Sequence, residues 1–510
     1  MTVSQGVRPI IPEPEKADPA GWLGVGLLVA LVVVAPIAWG GILPGGTLII
    51  QILAFAAASV AFLSRAPVRP RLPAIPLAAV AGILLLGLIQ LAPLPERLLG
   101  AVSPISLQIS RETKRILDLF GRTRAPSAAI SIAPSETIST ILLLLAYIAA
   151  FLAASRVLLT RSRRRAFLAG IFTAALVQIL IATLSGAPTA RKGGSFVNPD
   201  HLAGYLEISL ALAFGVAWAT FSVGRDRVSH LADRGERLER RLVPLSLSVL
   251  LWGTIAAGIA LTQSRGGVGA ALVTTLFLIA LFSMRRRLGS RRAAAGRATL
   301  ILMAGLLFVA FAVREIPVVR LLATDPRDLP TDSRLQIWAG SVQAFRQFSV
   351  VGSGLGTFRE AFRRVQPRDF VEGLVEQAHS DSLQLLVTGG AVGAALGVLA
   401  LVSGLFALFR AAQRQRHREE TALLIGGLGA LVSLTLHGLV DFNFSLPAIP
   451  VTLAAVLGGA WAAGEASASG APMTTASTTA TSAPARVRRE KVRRPLRPES
   501  GTRSRAGPEM

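Results

Sequence analysis

Twelve long apolar runs recur along the chain, near residues 21–39, 46–63, 74–92, 138–155, 166–184, 201–221, 244–262, 268–283, 299–313, 382–409, 421–438 and 446–464. A helix needs roughly 20 such residues to cross the hydrocarbon core of a bilayer. No water is present there to satisfy an open backbone, so only helices and closed barrels span it. The runs are continuous and do not alternate, which strongly favours helices over a barrel. They predict an all-α polytopic membrane protein of about 12 transmembrane helices. A mean hydropathy of +0.56 and 52% hydrophobic residues agree with that class. The chain has no Cys, which excludes disulfides and thiolate chemistry.

Orientation follows from Arg and Lys, which remain on the cytoplasmic side of short loops. With the first polar stretch, residues 1–20, placed inside as part of a retained signal anchor, the inside loops are 64–73, 156–165, 222–243, 284–297 and 410–420. Together these carry 24 Arg and six Asp/Glu. The tail, residues 465–510, is basic as well and rich in Ala, Ser, Thr and Pro, a composition that favours disorder. The net charge of +24 is therefore a signature of topology, with no nucleic-acid partner implied. The expected layout is a cytoplasmic segment at 1–20, a membrane domain at 21–464 and a cytoplasmic tail at 465–510.

The loop at 314–381 departs from this pattern. It holds nine Arg and nine Asp/Glu in 68 residues, so it is neutral, and it falls on the extracytoplasmic side. It is long enough to build structure of its own. Leu335, Trp338, Val342 and Phe345 have helical spacing, which predicts an amphipathic helix over about 333–347. Gly352-Ser353-Gly354-Leu355-Gly356 reads as a flexible turn, and no strand precedes it to make a phosphate loop. His379, one of five His, stands at the start of the next apolar run, with Asp381 near enough to orient it.

Other polar residues gather on the same side. Gln263-Ser264-Arg265-Gly266-Gly267 interrupts one long apolar run. An Arg at membrane depth costs about 2.5–3.5 kcal/mol and usually lines a cavity or pairs; at a turn it can also snorkel to the headgroups. The stretch 193–205 brings Asn198, Asp200, His201 and Tyr205 to the mouth of the sixth span. Asn198 or Asp200 can cap that helix. Glu207 lies about two turns inside it, where it needs a partner. His437 and Asp441, four apart, share a helix face if the eleventh span continues so far; they form either a structural hydrogen bond or a support for the site.

The ordered set of these motifs resembles the O-antigen ligase and polymerase superfamily. The stretches are 198–205, Ser264-Arg265-Gly266, Arg334 with Trp338, Gly354 to Phe358, His379 to Leu386, and Asp441-Phe442, spread over about 190–445. The resemblance implies a membrane glycosyltransferase fold of the C type. It also implies a glycan donor carried on undecaprenyl diphosphate, a glycan or lipid acceptor, and the outer face of the bacterial cytoplasmic membrane as the place of transfer, in lipopolysaccharide or other cell-envelope polysaccharide biosynthesis. No cofactor and no metal are implied. Carried over, Arg265 and Arg334 grip the diphosphate and His379 acts at the acceptor hydroxyl. Asn198, His201, Ser264, Gly266, Asp381 and Asp441 are the expected substrate-binding residues. Ser380 directly after the His, Thr388 before Gly389-Gly390, and Ser349-Val350-Val351 ahead of the Gly turn depart from the pattern and leave the acceptor open.

The chemistry suits these residue types. A guanidinium fork donates to phosphate oxygens at fixed geometry, and an imidazole is the usual base near neutral pH. The acids of the long loop (Asp325, Asp328, Asp332, Glu360, Asp369, Glu372 and Glu376) form no recognisable metal motif. A transporter of lipid-linked saccharide and a non-catalytic envelope scaffold are the other classes. A transporter would show internal repeats and midplane polar residues, and here the polar set lies at one face.

Overall fold

The computed structural model describes residues 18–65, 70–121, 128–185, 190–222, 234–285, 333–366, 373–415 and 417–468. Fifteen α-helices and no strand are found among them. In chain order they are α1 (Pro19–Ile37), α2 (Pro44–Leu63), α3 (Ala74–Leu91), α4 (Glu96–Val102), α5 (Pro104–Leu119), α6 (Pro134–Val157), α7 (Arg161–Leu184) and α8 (Pro199–Ser222). They continue as α9 (Arg234–Leu261), α10 (Arg265–Arg285), α11 (Ser333–Gln347), α12 (Phe358–Phe362), α13 (Asp381–Arg414), α14 (Arg418–His437) and α15 (Ala448–Ala468).

Ten of these helices are long and apolar enough to cross a membrane, which makes the chain an all-α, multi-pass membrane protein. They coincide with ten of the twelve apolar runs; α10, with the shorter apolar stretch Arg265–Leu281, coincides with the eighth. The ninth run, 299–313, lies outside the described residues. So do residues 1–17, the first part of the long loop (314–332) and the tail from 469 onward.

The helices α8, α14 and α15 form the centre, with 72%, 83% and 72% of their apolar windows buried, against 22% for α3 and 11% for α13. Lipid offers no hydrophobic drive between helices, so close packing must hold them together. Small residues permit it: Gly426 of α14 meets Leu212 of α8, and Gly170 of α7 meets Val29 of α1.

Charged clusters fasten one end of the bundle. At the start of α1, Asp18 accepts from the amides of Gly21 (3.0 Å) and Arg65 (3.3 Å), from Ser64 Oγ (2.7 Å) and from Arg163 Nη2 (2.9 Å). One carboxylate thus joins α1, the end of α2 and the start of α7. Burial alone would raise its pKa. The bonds from Ser64, Gly21, Arg163 and Arg65 outweigh burial and hold the carboxyl down at about 2. Glu420 at the start of α14 takes Arg161 (2.9 Å) and Arg164 (2.8 Å) from α7 in the same way.

Near the other end α13 is broken. At 34 residues it is about 50 Å long, well beyond the hydrocarbon thickness of about 30 Å. Gly390 interrupts it with φ 64° and ψ −166°, a conformation open essentially to glycine alone. Backbone groups freed by such a break need partners. Residues 349–354 supply them: Ala391 and Val392 amides donate to the carbonyls of Ser349 (2.8 Å) and Val350 (3.1 Å), and Ser353 and Gly354 amides to those of Val387 (3.0 Å) and Thr388 (3.1 Å). Gln90 of α3, fully buried, donates to the carbonyls of Val351 (2.6 Å) and Thr388 (2.9 Å) and accepts from the Leu355 amide (2.8 Å). The Gly-rich segment expected to be a flexible turn is therefore a pinned one: Gly352 packs against Thr388 of α13, Gly354 against Ser131 and Thr137, and Gly356 against Thr140 of α6.

Of two further outcomes, one adds helices the sequence did not announce and one agrees with the expectation. The loop at 93–137 folds into α4 and α5, which no apolar run announces. In α5, Ile105, Ile109 and Ile116 alternate with Arg111, Glu112, Lys114 and Arg115, an amphipathic pattern. The 333–347 helix forms as α11 with the expected bounds.

Gln90→Leu removes the Gln90 partner of the Val351 carbonyl and of the Leu355 amide, takes one of two donors from the Thr388 carbonyl, and is expected to destabilise the protein by about 1–3 kcal/mol for each group left unpaired. Thermal unfolding of the purified protein in detergent measures this, and an unchanged melting temperature contradicts the clamp. The contribution of Asp18 is complete above its ordinary pKa of 3.8 and is lost as pH falls through about 2. The gap in melting temperature between wild type and Asp18→Asn is thus expected to be constant above about pH 5 and to close in acid; a gap that widens in acid refutes the assignment.

Candidate functional site

Five separate segments converge at the end of the bundle where α8, α10 and α13 begin and α9 and α14 finish. The first is the turn between α9 and α10. Thr262 Oγ1 accepts from the Ser264 amide (3.1 Å), and Ser264 Oγ accepts from the Gly267 amide (3.2 Å), capping α10. Gln263 has φ 53°, which is strained for a side chain of its kind. Arg265 follows as the first residue of α10 and is exposed. Gly266 faces the His437 ring so closely that an added Cβ would sit 2.9 Å from Cδ2.

The second segment is the entrance to α8. Asn198 Oδ1 accepts from the Asp200 amide (2.9 Å) and so caps the helix. Asp200 is buried and collects three partners. Arg191 Nη2 reaches Oδ1 at 2.5 Å, Arg334 Nη2 reaches Oδ2 at 3.6 Å, and the Ser264 side chain hydrogen-bonds to it. One carboxylate thereby gathers the α9–α10 turn, the loop before α8 and the start of α11. Arg191 also donates through Nε to the Thr262 carbonyl (3.2 Å).

The third and fourth segments are α11 and the residues before α13. Trp338, one turn beyond Arg334, donates through Nε1 to the His379 carbonyl (3.2 Å). His379 has φ 47°, so two of the three non-glycine residues with positive φ among the described residues lie in this site. Its Nδ1 faces Asp441 Oδ1 at 4.0 Å, and its ring meets Phe442 edge-on with centroids 4.8 Å apart.

The fifth segment, 437–446, links α14 to α15. Asp441, buried, lies between two imidazoles, with His379 on one oxygen and His437 Nε2 at 3.8 Å from the other. Helix α14 ends at His437, so a turn brings the pair together in place of a continued helix. On its far side His437 Nδ1 meets Glu207 Oε1 at 2.7 Å, and Ser433 Oγ donates to Glu207 Oε2 at 2.8 Å. Glu207, required by its depth to have a partner, has two.

Several expected roles change with this geometry. His379 is faced by Asp441; the Asp381 carboxylate instead accepts from the Phe444 amide (3.2 Å), while the Asp381 amide donates to the carbonyls of Gly438 (2.8 Å) and Asp441 (3.0 Å). Asp381 therefore staples α13 to the α14–α15 turn. His201 is buried behind the Phe442 ring, 4.6 Å between centroids, and neither ring nitrogen has a hydrogen-bond partner among the described residues. Asn198 and Ser264 are caps, and Gly266 is a spacer for His437. Tyr205 turns away and donates to the Val32 carbonyl of α1 (2.7 Å). Sequence reasoning missed Arg191; the basic pair Arg191-Lys192, alone in its loop, was the available signal.

A helical bundle with a polar, cation-bearing site at one end defines a multi-pass membrane protein equipped for an anionic or hydroxylic ligand. Residues 248–398 match the family model described as O-antigen ligase. The matched segment contains Arg265, Arg334 and His379; the α8 entrance and Asp441 lie beyond its two ends. No curated protein matches the chain.

Gly266→Ala forces the added methyl against His437 and is expected to destabilise the protein by about 1–3 kcal/mol, the usual effect of overpacking. A melting temperature equal to that of wild type contradicts the close approach.

Proposed function

We propose that the protein transfers glycan from undecaprenyl diphosphate to an acceptor hydroxyl at the extracytoplasmic face of the bacterial cytoplasmic membrane, with both termini cytoplasmic. The observation that carries this reading is the meeting at Asp200 of the turn bearing Arg265 and the helix bearing Arg334, with His379 tied to that helix through Trp338. Two guanidinium groups suit a diphosphate, and donors fixed before the reaction stabilise charge as it develops.

In this mechanism the acceptor oxygen attacks the anomeric carbon and its proton passes to His379. The bond from that carbon to the diphosphate oxygen breaks, and its electron pair leaves with the diphosphate, facing Arg265 and Arg334. One displacement inverts the anomeric centre. Because His379 Nδ1 faces Asp441, Nε2 is the nitrogen for the hydroxyl, and the Asp441 carboxylate stabilises the imidazolium that forms. Guanidinium groups meet the diphosphate charge, so the step needs no divalent metal.

Deletion of the gene is expected to remove a surface glycan. Arg265→Ala, Arg334→Ala and His379→Ala should each fail to restore it while accumulating normally in the membrane, and transfer by wild-type membranes should persist in EDTA. Restoration by all three variants, or loss of transfer on chelation with recovery in magnesium, overturns the reading. Accumulation of lipid-linked polymer in the deletion strain marks a ligase, and single repeats mark a polymerase.

A further inference from the structure

We propose that Arg191 is a third phosphate-binding residue of this site. The inference rests on the reading that the site holds a lipid diphosphate. Arg191 precedes α8 and belongs to none of the motifs that identify the Arg265 turn or the α11 start. Two contacts fix its guanidinium. Nη2 is bound to Asp200 Oδ1 at 2.5 Å, and Nε donates to the Thr262 carbonyl at 3.2 Å. Thr262 begins the turn that presents Arg265, and Asp200 Oδ2 is the oxygen that Arg334 approaches at 3.6 Å. Arg191 is thus held by the carboxylate that Arg334 approaches and by the turn that leads to Arg265.

A guanidinium has five N–H donors. The two contacts use two of them, and no third contact exists among the described residues. The side chain remains 43% exposed, so the remaining donors are accessible to a ligand. Asp200 cannot serve the ligand itself, being an anion that is buried and occupied. Its effect is to hold guanidinium groups of like charge near one another, which would otherwise repel. A diphosphate offers several acceptor oxygens to such an array, and planar forks engage them at fixed geometry.

The test uses the full-length protein in lipid nanodiscs, with undecaprenyl diphosphate as the probe and intrinsic tryptophan fluorescence as the readout. Arg191→Ala is expected to weaken binding on the order of tenfold. Arg191→Gln keeps a donor for Asp200 or the Thr262 carbonyl but carries no charge, so it controls for collapse of the loop and should weaken binding to a similar degree. Arg191→Lys, which retains charge without the fork, should fall between wild type and Gln. Wild-type affinity in Arg191→Gln overturns the inference and makes Arg191 a tether of the loop. The parent reading fails separately. If Arg265→Ala and Arg334→Ala bind undecaprenyl diphosphate as tightly as the wild type, or if the wild type does not bind it at all, the diphosphate site itself is refuted.

Discussion

The pairing of Glu207 with His437 is the interaction on which the rest of the site depends. Both groups are withdrawn from water, Glu207 about two turns into α8 and His437 at the end of α14, two of the three most extensively buried helices. A buried pair of this kind gives little net stability over apolar packing, yet removing one member leaves an uncompensated polar group and costs about 3–5 kcal/mol. Its consequence is geometric. It fixes the rotation of α8 against α14, and so where Asp200 at the entrance of α8 stands relative to Asp441 just past the end of α14. Gly266, which must lie against the His437 ring, then sets the height of the α9–α10 turn and of Arg265.

Two carboxylates organise what this frame presents. Asp200 collects two Arg and one Ser from three segments, and Asp441 stands between two imidazoles. Neither works as an isolated charge: Asp200 joins segments more than a hundred residues apart, and Asp441 joins segments about sixty residues apart. The Gln90 clamp and the break at Gly390 do the corresponding work beneath His379. There a pinned re-entrant segment, 349–354, substitutes for a helix turn and keeps α13 packed while its upper end turns toward α14. At the opposite end the Asp18 and Glu420 clusters hold the same helices by the same principle, with nothing in them suggestive of ligand binding. The two ends therefore differ in kind. One is closed by ion pairs, and the other gathers strained backbone, half-exposed Arg and an imidazole backed by a carboxylate.

Much of the frame is legible in the sequence because its signals are local. Continuous apolar runs gave the spans, and the spacing of Leu335, Trp338, Val342 and Phe345 gave α11 with its bounds. The segment carrying Arg265 was legible as an interruption, since an Arg amid apolar residues needs a reason. What could not be read depends on contacts between distant segments. Gln90 is one polar residue near the end of an apolar run, and nothing near it announces the carbonyls of Val351 and Thr388. Asp381 lies two residues from His379 and looked like its partner, yet the backbone turns its carboxylate to Phe444 and brings Asp441 in from sixty residues away. His201 and Asn198 looked like ligand contacts at a helix mouth, and packing made one a buried neighbour of Phe442 and the other a cap. Arg191 was overlooked because its role lies in the groups that hold it.

The central claim is that a lipid diphosphate sits against Arg265 and Arg334 within reach of His379. Electron cryomicroscopy of the full-length protein in nanodiscs with undecaprenyl diphosphate tests it most directly. The account predicts diphosphate density between the α9–α10 turn and the start of α11, with the lipid tail descending along the bundle from that end. Density for the diphosphate at the end closed by Asp18 and Glu420, or on a face remote from both Arg residues, would contradict it.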